Sequence, residues 1–479
     1  MDVSTPKDRA ALIQLLVDWS LCDDSQLGRD PTMQYEPDLG CWRIECPDDD
    51  ASALDGSDSG DDRMKPYYFS SVICQADRLF GRHTRCFPAT DVRPTEGVSE
   101  ASPLMATAVV KDAWAFSVRD ASNDDRDEVK SLKRIRATFE SSSHDNIIYP
   151  RIVVGGRVKL KRGGRAVEDT TEAMYKGVCK RLLDIVAADS LFRAHRRIVT
   201  SPIGQPLRKA KSAKELILVV GDVMRCHSAI VAECKILHRD ISDNNILIVR
   251  REGEPTRGLL IDFDCALDLS KERIGMRGKM TGTPPFMSIN NLDESDVKRT
   301  SLDDWESLIY LLCLIGTRGV DKGTRRSSKE LEKLPIRLWK SGDAKTILYS
   351  KCRCLSNSAT FMEEIVSNFN SEDKDGDMLK KLAIYLYKTL FQNHYLGFEY
   401  HGTTKTTPNL HCLDVIAENI PTMFDPFSFD NPLESLRDTT LVDPFDMRAE
   451  KCDYISRQLL AITDMAWRRA KTILSTDQQ

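Results

Sequence analysis

The chain has 479 residues, of which 41% are hydrophobic and 29% are charged, and its formal net charge is −5. These proportions are ordinary for a globular protein, and so mild a negative charge gives no electrostatic reason for binding nucleic acid or an anionic membrane. No apolar run approaches the roughly 18 residues that a membrane helix needs, and the acidic first residues do not resemble a secretory signal.

Residues 1–64 are predicted to form an N-terminal helix and an acidic linker. Apolar side chains recur at helical spacing over residues 6–20. Residues 47–62 consist mainly of acids and small residues, which is typical of a solvated linker because such a segment has little apolar surface to bury.

Residues 65–200 are predicted to be rich in strands. Short β-branched and aromatic runs occur between Tyr67 and Val110 and again at Arg196–Thr200, and a helix opens near Glu128. The sequence Ser201–Gly204 then predicts a turn, since proline fixes φ and glycine frees it.

Beyond this turn the pattern becomes mainly helical. A long buried helix is predicted over Ser212–Ile236, and two short strands follow it, at Ile246–Val249 and Leu259–Ile261. From residue 301 onward helices dominate. We therefore divide the chain into 1–64, 65–200, 201–400 and a helical extension at 401–479.

The strongest chemical signal is the sequence LHRDISDNNIL at residues 237–247, in which Asp240 and Asn245 lie between a predicted helix and a strand. The next predicted strand leads into Asp262. Phosphoryl transfer needs such a set, with one carboxylate to orient the acceptor hydroxyl and a second carboxylate and an amide oxygen to hold Mg²⁺ on the phosphates. Turn capping is the alternative role of these residue types.

These motifs resemble those of the protein kinase superfamily, and more narrowly those of the fungal-type protein kinase family. The shared features are HRDIS, IDFD, GTPPFM and DDWESLIYLL, with KDAW and SPIGQPL upstream. The resemblance implies an α+β, bilobal fold with a small β-rich N-lobe and a larger helical C-lobe. It also implies that ATP lies between the lobes with Mg²⁺, and that the γ-phosphate goes to serine or threonine of a protein substrate.

By this resemblance, Asp240 is the catalytic base or acceptor-orienting residue, and Asn245 and Asp262 hold Mg²⁺. Lys111 corresponds to the strand lysine that contacts the α- and β-phosphates, with Glu128 as its partner; Glu140 is placed after the helix and is the less favoured choice.

The nucleotide pocket has weaker signals. Gly81 is the single glycine of the expected phosphate-covering loop. Val109 and Leu247 occupy the positions that face adenine, and each is equally well explained as a core residue.

Five further residues are given structural or regulatory roles. His238 and Arg239 support the catalytic loop, Thr283 is expected to hydrogen-bond to Asp240, and Asp304 is expected to anchor the loop backbone. A phosphate on Thr281, or alternatively on Ser270, is expected to engage Arg239.

Three residues depart from the superfamily pattern: Ser242 where a lysine is usual, Asp264 where the metal motif has glycine, and Asn290 where the superfamily has glutamate. Two alternatives remain. A pseudokinase scaffold predicts the loss of Lys111, Asp240 or Asp262, and a small-molecule phosphotransferase of the same fold fits the GTPPFM segment less well.

The 14 cysteines include no CxxC pair, so we expect reduced thiols in an intracellular protein, cytoplasmic or nuclear. The expected partners are ATP and a protein substrate, with no role for nucleic acid or membrane. The sequence gives no indication of oligomeric state.

Overall fold

The computed structural model describes residues 5, 9, 10, 12, 13, 16, 17, 20, 30–48, 64–75, 82–95, 97–99, 103–117, 127–142, 144, 147–162, 165–171, 192–271, 281–293, 299–320, 325–356, 358–370, 374–392, 456, 457, 459–464, 467 and 468. The chain forms two compact units. The first contains residues 1–129 and 151–203, and the second contains residues 130–150 and 204–479. The later boundary between the two units lies between Ile203 and Gly204. We predicted this boundary between residues 200 and 201.

The first unit is built from antiparallel sheets. One sheet has the order β1-β2-β3, a second has the order β4-β5-β6-β10-β7, and β8 pairs with β9. Their bounds are β1 Met33–Glu36, β2 Cys41–Pro47, β3 Met64–Phe69, β4 Cys74–Gln75, β5 Arg85–Ala89, β6 Ala108–Ser117, β7 Arg151–Arg157, β8 Lys159–Arg162, β9 Arg165–Glu168 and β10 Phe192–Ser201.

Strands β1 and β2 lie within residues 1–64, where the sequence predicted only a helix and a linker. The described residues between 9 and 20 are helical, as predicted, whereas residues 49–62 of the predicted linker lie outside the described part of the chain. Both sheets contribute to one hydrophobic core, in which Ile44 of β2, Phe69 of β3 and Phe87 of β5 are buried. The burial of alternate apolar residues on these strands stabilises the packing of one sheet on the other.

A buried ionic network crosses the first unit. Arg197 of β10 is fully buried, and its Nε donates to Asp112 Oδ1 of β6 at 2.8 Å. Its terminal nitrogens reach Asp30, Thr32 Oγ1 and the Glu45 carbonyl, which ties the sheet to the N-terminal segment.

His195 extends the network on the same strand. Its ring nitrogens lie 2.7 Å from Asp112 and 3.0 Å from Asp169. Burial opposes the charge on Asp112, but Arg197 and His195 outweigh it and hold the pKa of that carboxyl below its usual range. The Arg197 guanidinium thus compensates the negative charges of Asp30 and Asp112.

The second unit is mainly helical. Its helices are α1 Glu128–Ser141, which begins in the first unit, α2 Ala213–Ala229, α3 Ile289–Leu292, α4 Ser301–Arg318, α5 Ser328–Leu331, α6 Ala344–Leu355, α7 Ser358–Glu364 and α8 Lys374–Tyr387. Short strands complete it: β11 Gln205–Pro206, β12 Ile236–Leu237, β13 Ile246–Val249, β14 Arg257–Leu260 and β15 Leu267–Asp268. The predicted α+β class is confirmed by this division into strand-rich and helix-rich parts.

Helix α2 is shorter than the predicted Ser212–Ile236. Ser212 caps its N-terminus by accepting a hydrogen bond from the Glu215 amide. After Ala229 the backbone widens into a π-helical turn over Ile230–Cys234, and Lys235 then adopts a left-handed conformation that leads into β12. This change of path delivers the chain to the loop that follows β12.

Trp467 packs on α2. Trp467 lies against Gly221, where a Cβ would approach the indole to 2.9 Å, so this position has room only for glycine. The Arg225 guanidinium stacks 3.9 Å from the centre of the Trp467 ring, and Leu459 and Ile462 are buried.

Helices in the described part of the chain fall short of the combined length and apolarity that crossing a bilayer requires.

Candidate active site

The loop from His238 to Asn245 joins β12 to β13, and a buried carboxylate holds its beginning. Asp304 lies in the first turn of α4. This helix begins with a reciprocal capping box between Thr300 and Asp303. The Asp304 carboxylate accepts hydrogen bonds from the His238 amide at 3.2 Å and from the Arg239 amide at 3.0 Å. Helix α4 therefore fixes the loop backbone.

His227 of α2 is the third donor to this carboxylate, with Nε2 2.8 Å from Asp304 Oδ2. Burial opposes the charge of Asp304, but His227 and the backbone amides outweigh it and keep the pKa of the carboxyl below its ordinary value. The carboxylate is thus ionised and fully used in holding α2 and the loop together.

Replacing Asp304 with alanine should destabilise the second unit, because it leaves buried loop amides without an acceptor. The cost is about 1–3 kcal/mol for each unpaired buried group. Urea unfolding compared between Asp304→Ala and Asp343→Ala, which removes an exposed N-cap on α6, measures the effect. Equal losses in both variants would contradict an anchoring role.

Asp240 is oriented by three donors. Its Oδ1 accepts from the Thr283 amide at 2.9 Å and from the Thr283 hydroxyl at 2.8 Å. Its Oδ2 accepts from Asn245 Nδ2 at 3.0 Å. Gly282 permits the close approach of the Thr283 segment, since it has φ 111° and a Cβ there would lie 3.0 Å from the Arg239 carbonyl.

Asp262 follows β14 and is brought beside Asn245 by the backbone. The Ile261 amide donates to the Asn245 carbonyl at 2.9 Å, and His238 Nε2 lies 3.0 Å from the Ile261 carbonyl. The other His238 nitrogen accepts from the Asp240 amide, so the ring is neutral with its proton on Nε2. Burial lowers the pKa of His238, which agrees with this form.

Arg239 and Asp262 both have left-handed backbone conformations, with φ 67° in each case. Such conformations are uncommon for residues other than glycine and cost free energy, and they concentrate at functional sites. The hydrogen bond from the Arg239 amide to Asp304 maintains this conformation at Arg239.

The oxygen donors of this loop fit a hard divalent cation. The Asn245 amide nitrogen donates to the Asp240 carbonyl and carboxylate, so its oxygen is the atom that Asn245 can offer to a metal. Together with the half-buried Asp262 carboxylate, this supplies the carbonyl and carboxylate oxygens that Mg²⁺ prefers.

In the first unit, Lys111 of β6 forms an ion pair with Glu128 at the start of α1, with Nζ 2.7 Å from Oε2. The pair is mostly buried, since the two side chains are 15% and 5% exposed. The alternative partner, Glu140, lies in the last turn of α1 rather than beyond it, and pairs with Arg136. Val109 is half-buried on β6.

Leu247 of β13 is half-buried in the second unit and packs against Gly204, where a Cβ would clash at 2.5 Å. Gly81 lies outside the described residues. A cavity of about 180 Å³ in the first unit is lined by charged residues of β7–β9 and includes none of the predicted site residues.

A family model described as fungal protein kinase matches residues 1–316 of this chain. The chain belongs to the fungal protein kinase family. A search of curated proteins returns no match. Among solved structures, one described as "Structure of vaccinia related kinase 3" is 12% identical, with a TM-score of 0.42, over 82% of this chain and 94% of that one.

Arg239 contacts the segment that follows Asp262, since its Nε donates to the Cys265 carbonyl at 2.6 Å. The hydroxyl of Thr281, the predicted phosphorylation site, lies 3.2 Å from an Arg299 nitrogen, and the Thr281 carbonyl accepts from Asn291. The contact with Arg299, 18 residues further along the chain, was not predicted from the sequence.

The chain also has a link that was not predicted from its sequence. Arg134 of α1 donates to Asp268 at 2.6 Å and to the Cys234 carbonyl at 3.2 Å. Asp268 in turn accepts from the Ser270 amide and hydroxyl. The helix that begins with Glu128 is thereby joined to the segment after Asp262, and one arginine among the several basic residues of this helix gives no sequence signal of the contact.

The role of Glu306 was also not predicted from the sequence. Its carboxyl group holds the backbone that follows the GTPPFM motif. Its Oε1 accepts from the Ile289 amide at 2.7 Å and from the Tyr310 hydroxyl. Burial raises the pKa of Glu306 to about 7, although both donors oppose the shift.

This shift predicts a pH dependence of stability. Between pH 4.5 and about 7 the unfolded Glu306 is ionised while the folded one is protonated, so the contribution of Glu306 to stability falls as pH rises through this window and is level above it. The loss amounts to roughly 3 kcal/mol by the usual 1.36 kcal/mol for each pKa unit.

The matched variant is Glu306→Gln, whose neutral amide keeps an acceptor for Ile289. Urea midpoints at pH 5, 6, 7 and 8 should show the variant gaining on the native chain up to about pH 7 and no further. A constant difference at all four pH values would contradict the prediction.

Proposed function

We propose that this protein is an ATP- and Mg²⁺-dependent protein kinase that phosphorylates serine or threonine of a protein substrate. The observation that carries the proposal is the orientation of Asp240 by Thr283 and Asn245, in a loop whose backbone is joined to that of Asp262. Family membership supports a kinase or kinase-like protein. The serine or threonine acceptor follows from superfamily resemblance.

In the proposed reaction, Asp240 accepts the hydrogen of the acceptor hydroxyl and directs its oxygen toward the γ-phosphate. Thr283 and Asn245 occupy defined positions on the carboxylate, so it is oriented before the acceptor arrives. Such preorganisation lowers the barrier because little reordering is needed at the moment of transfer.

Asn245 and Asp262 are the residues that would hold Mg²⁺, which when bound offsets the charge of the phosphate oxygens. Lys111 would contact the α- and β-phosphates, and its ion pair with Glu128 fixes the direction of the ammonium group. The presence of Lys111, Asp240 and Asp262 argues against a pseudokinase.

Purified full-length chain, incubated with Mg²⁺, γ-labelled ATP and casein as a general acceptor, tests the proposal. Label should enter phosphoserine or phosphothreonine, as identified by mass spectrometry, and chelation of Mg²⁺ should abolish it. Asp262→Asn should lose transfer and Mg²⁺-dependent nucleotide binding, whereas Asp243→Asn, in the same loop, should retain both.

Three outcomes would count against this function. Nucleotide binding without transfer to any acceptor would identify a pseudokinase. Transfer to a small molecule alone would identify a different phosphotransferase. Full activity of Asp262→Asn would remove that residue from the metal site.

A further inference from the structure

Lys351 of α6 is fully buried, which is unusual for a lysine. Its Nζ donates to the Met287 carbonyl at 2.6 Å and lies 3.7 Å from the centre of the Tyr310 ring. Burial lowers the pKa of Lys351 well below its ordinary value, and the charge of Glu306 only partly offsets this. Keeping such a group in a core costs free energy, and an apolar side chain would fill the space without that cost.

The carbonyl that Lys351 holds belongs to the segment Thr283–Ile289, which follows the contact with Asp240. Pro284 is exposed on its outer side, whereas Met287 and Ile289 are buried. The segment therefore has one face exposed to solvent, and its opposite face is buried.

Two side chains from different helices hold the buried side. Lys351 of α6 binds the Met287 carbonyl, and Glu306 of α4 binds the Ile289 amide. Asn290 stands where the superfamily pattern has a glutamate at the end of this segment. In this chain, polar groups of α4 and α6 hold the backbone around that position.

We propose that Lys351 is a positioning residue for the protein acceptor, acting by fixing the backbone of Thr283–Ile289 through the Met287 carbonyl. This inference rests on the proposed function for the identity of the ligand, but the contact itself does not. An acceptor lying along Pro284 would meet a surface whose shape depends on Lys351, although Lys351 touches neither the acceptor nor ATP.

The test compares Lys351→Met, which has a similar length but makes no hydrogen bond, with Lys345→Met, the same change at an exposed position of α6. Hydrogen exchange of the Phe286–Ile289 amides should become about tenfold faster in Lys351→Met only, since local opening sets the exchange rate. Amides of the His238–Asn245 loop should keep their native rates.

Steady-state kinetics provide the second measurement. In Lys351→Met the KM for the protein acceptor should rise about tenfold, while kcat and the KM for ATP stay within about twofold, as expected when only acceptor binding is lost. Lys351→Gln, which keeps a neutral donor, should lie between the native chain and Lys351→Met in both measurements.

Unchanged exchange at Phe286–Ile289, or equal increases in the KM values of ATP and acceptor, would overturn the inference. So would global unfolding of both Lys351→Met and Lys351→Gln by circular dichroism, because Lys351 would then support the whole helical unit. If the native chain transfers no phosphate, the proposed function fails, and the exchange measurement still decides whether Lys351 fixes this segment.

Discussion

Replacing Asp240 with asparagine should reduce the rate of phosphoryl transfer by about 10²- to 10⁴-fold, the range that general acid–base catalysis contributes. Asparagine keeps the shape of the side chain and an oxygen that accepts from Thr283. Asn245 loses the Asp240 carboxylate as an acceptor but keeps the backbone carbonyl of the same residue, so the loop should stay folded. What is lost is the carboxylate that accepts the proton of the acceptor hydroxyl. The effect is measured as kcat with casein and labelled ATP.

The control for this variant is Asp243→Asn, which removes the same charge three residues further along the loop. It should retain nearly native kcat. Titration calorimetry should show that Asp240→Asn binds Mg²⁺–ATP with native affinity, since Asp240 is assigned no contact with nucleotide. A kcat within about threefold of native would be too small a loss for a catalytic base and would reject that role.

The largest effect on stability is expected from Arg197→Met. This change leaves Asp112 and Asp30 in the buried network without the guanidinium that joins them. Removing one partner of a buried ion pair typically costs about 3–5 kcal/mol. Because Asp112 keeps Arg85 and His195 as partners, we expect a loss toward the lower end of this range. Methionine fills most of the volume, so the loss reports charge more than packing.

Arg93→Met is the matched control in the same unit. Arg93 is 68% exposed and pairs with Glu36 at 3.3 Å, so its replacement should cost no more than about 1 kcal/mol. Hydrogen exchange of the β6 and β10 amides at increasing urea concentrations gives both free energies of unfolding. A loss from Arg197→Met as small as that from Arg93→Met would show that the network contributes nothing.

Residues for the loop after β12 could be predicted from sequence because the proposed chemistry fixes both their identity and their spacing. Asp240, Asn245 and Asp262 occupy loops next to short strands, and those strands are apolar runs that are easily recognised. The pair of Lys111 and Glu128 was also anticipated, since a lysine on a strand and an acid at the next helix start form a known combination. The structure places these two side chains in contact.

The features that were missed depend on burial of charge, which a single sequence does not reveal. Arg197 and Lys351 are fully buried, and because arginine and lysine are rarely buried the sequence gives no signal of either position. Strands β1 and β2 were missed because both are short, with four and seven residues, and lie next to the acidic linker. Helix α2 was predicted too long because periodicity continues through the π-helical turn.

The contact of Trp467 with Gly221 sets a lower limit on the length of a functional polypeptide. The family model ends at residue 316, but the side chains that cover this face of α2 come from more than 140 residues later. A truncated protein designed on the family boundary would uncover an apolar strip on its central helix, and such strips promote self-association. Expression trials with members that share this tail should therefore retain the C-terminus.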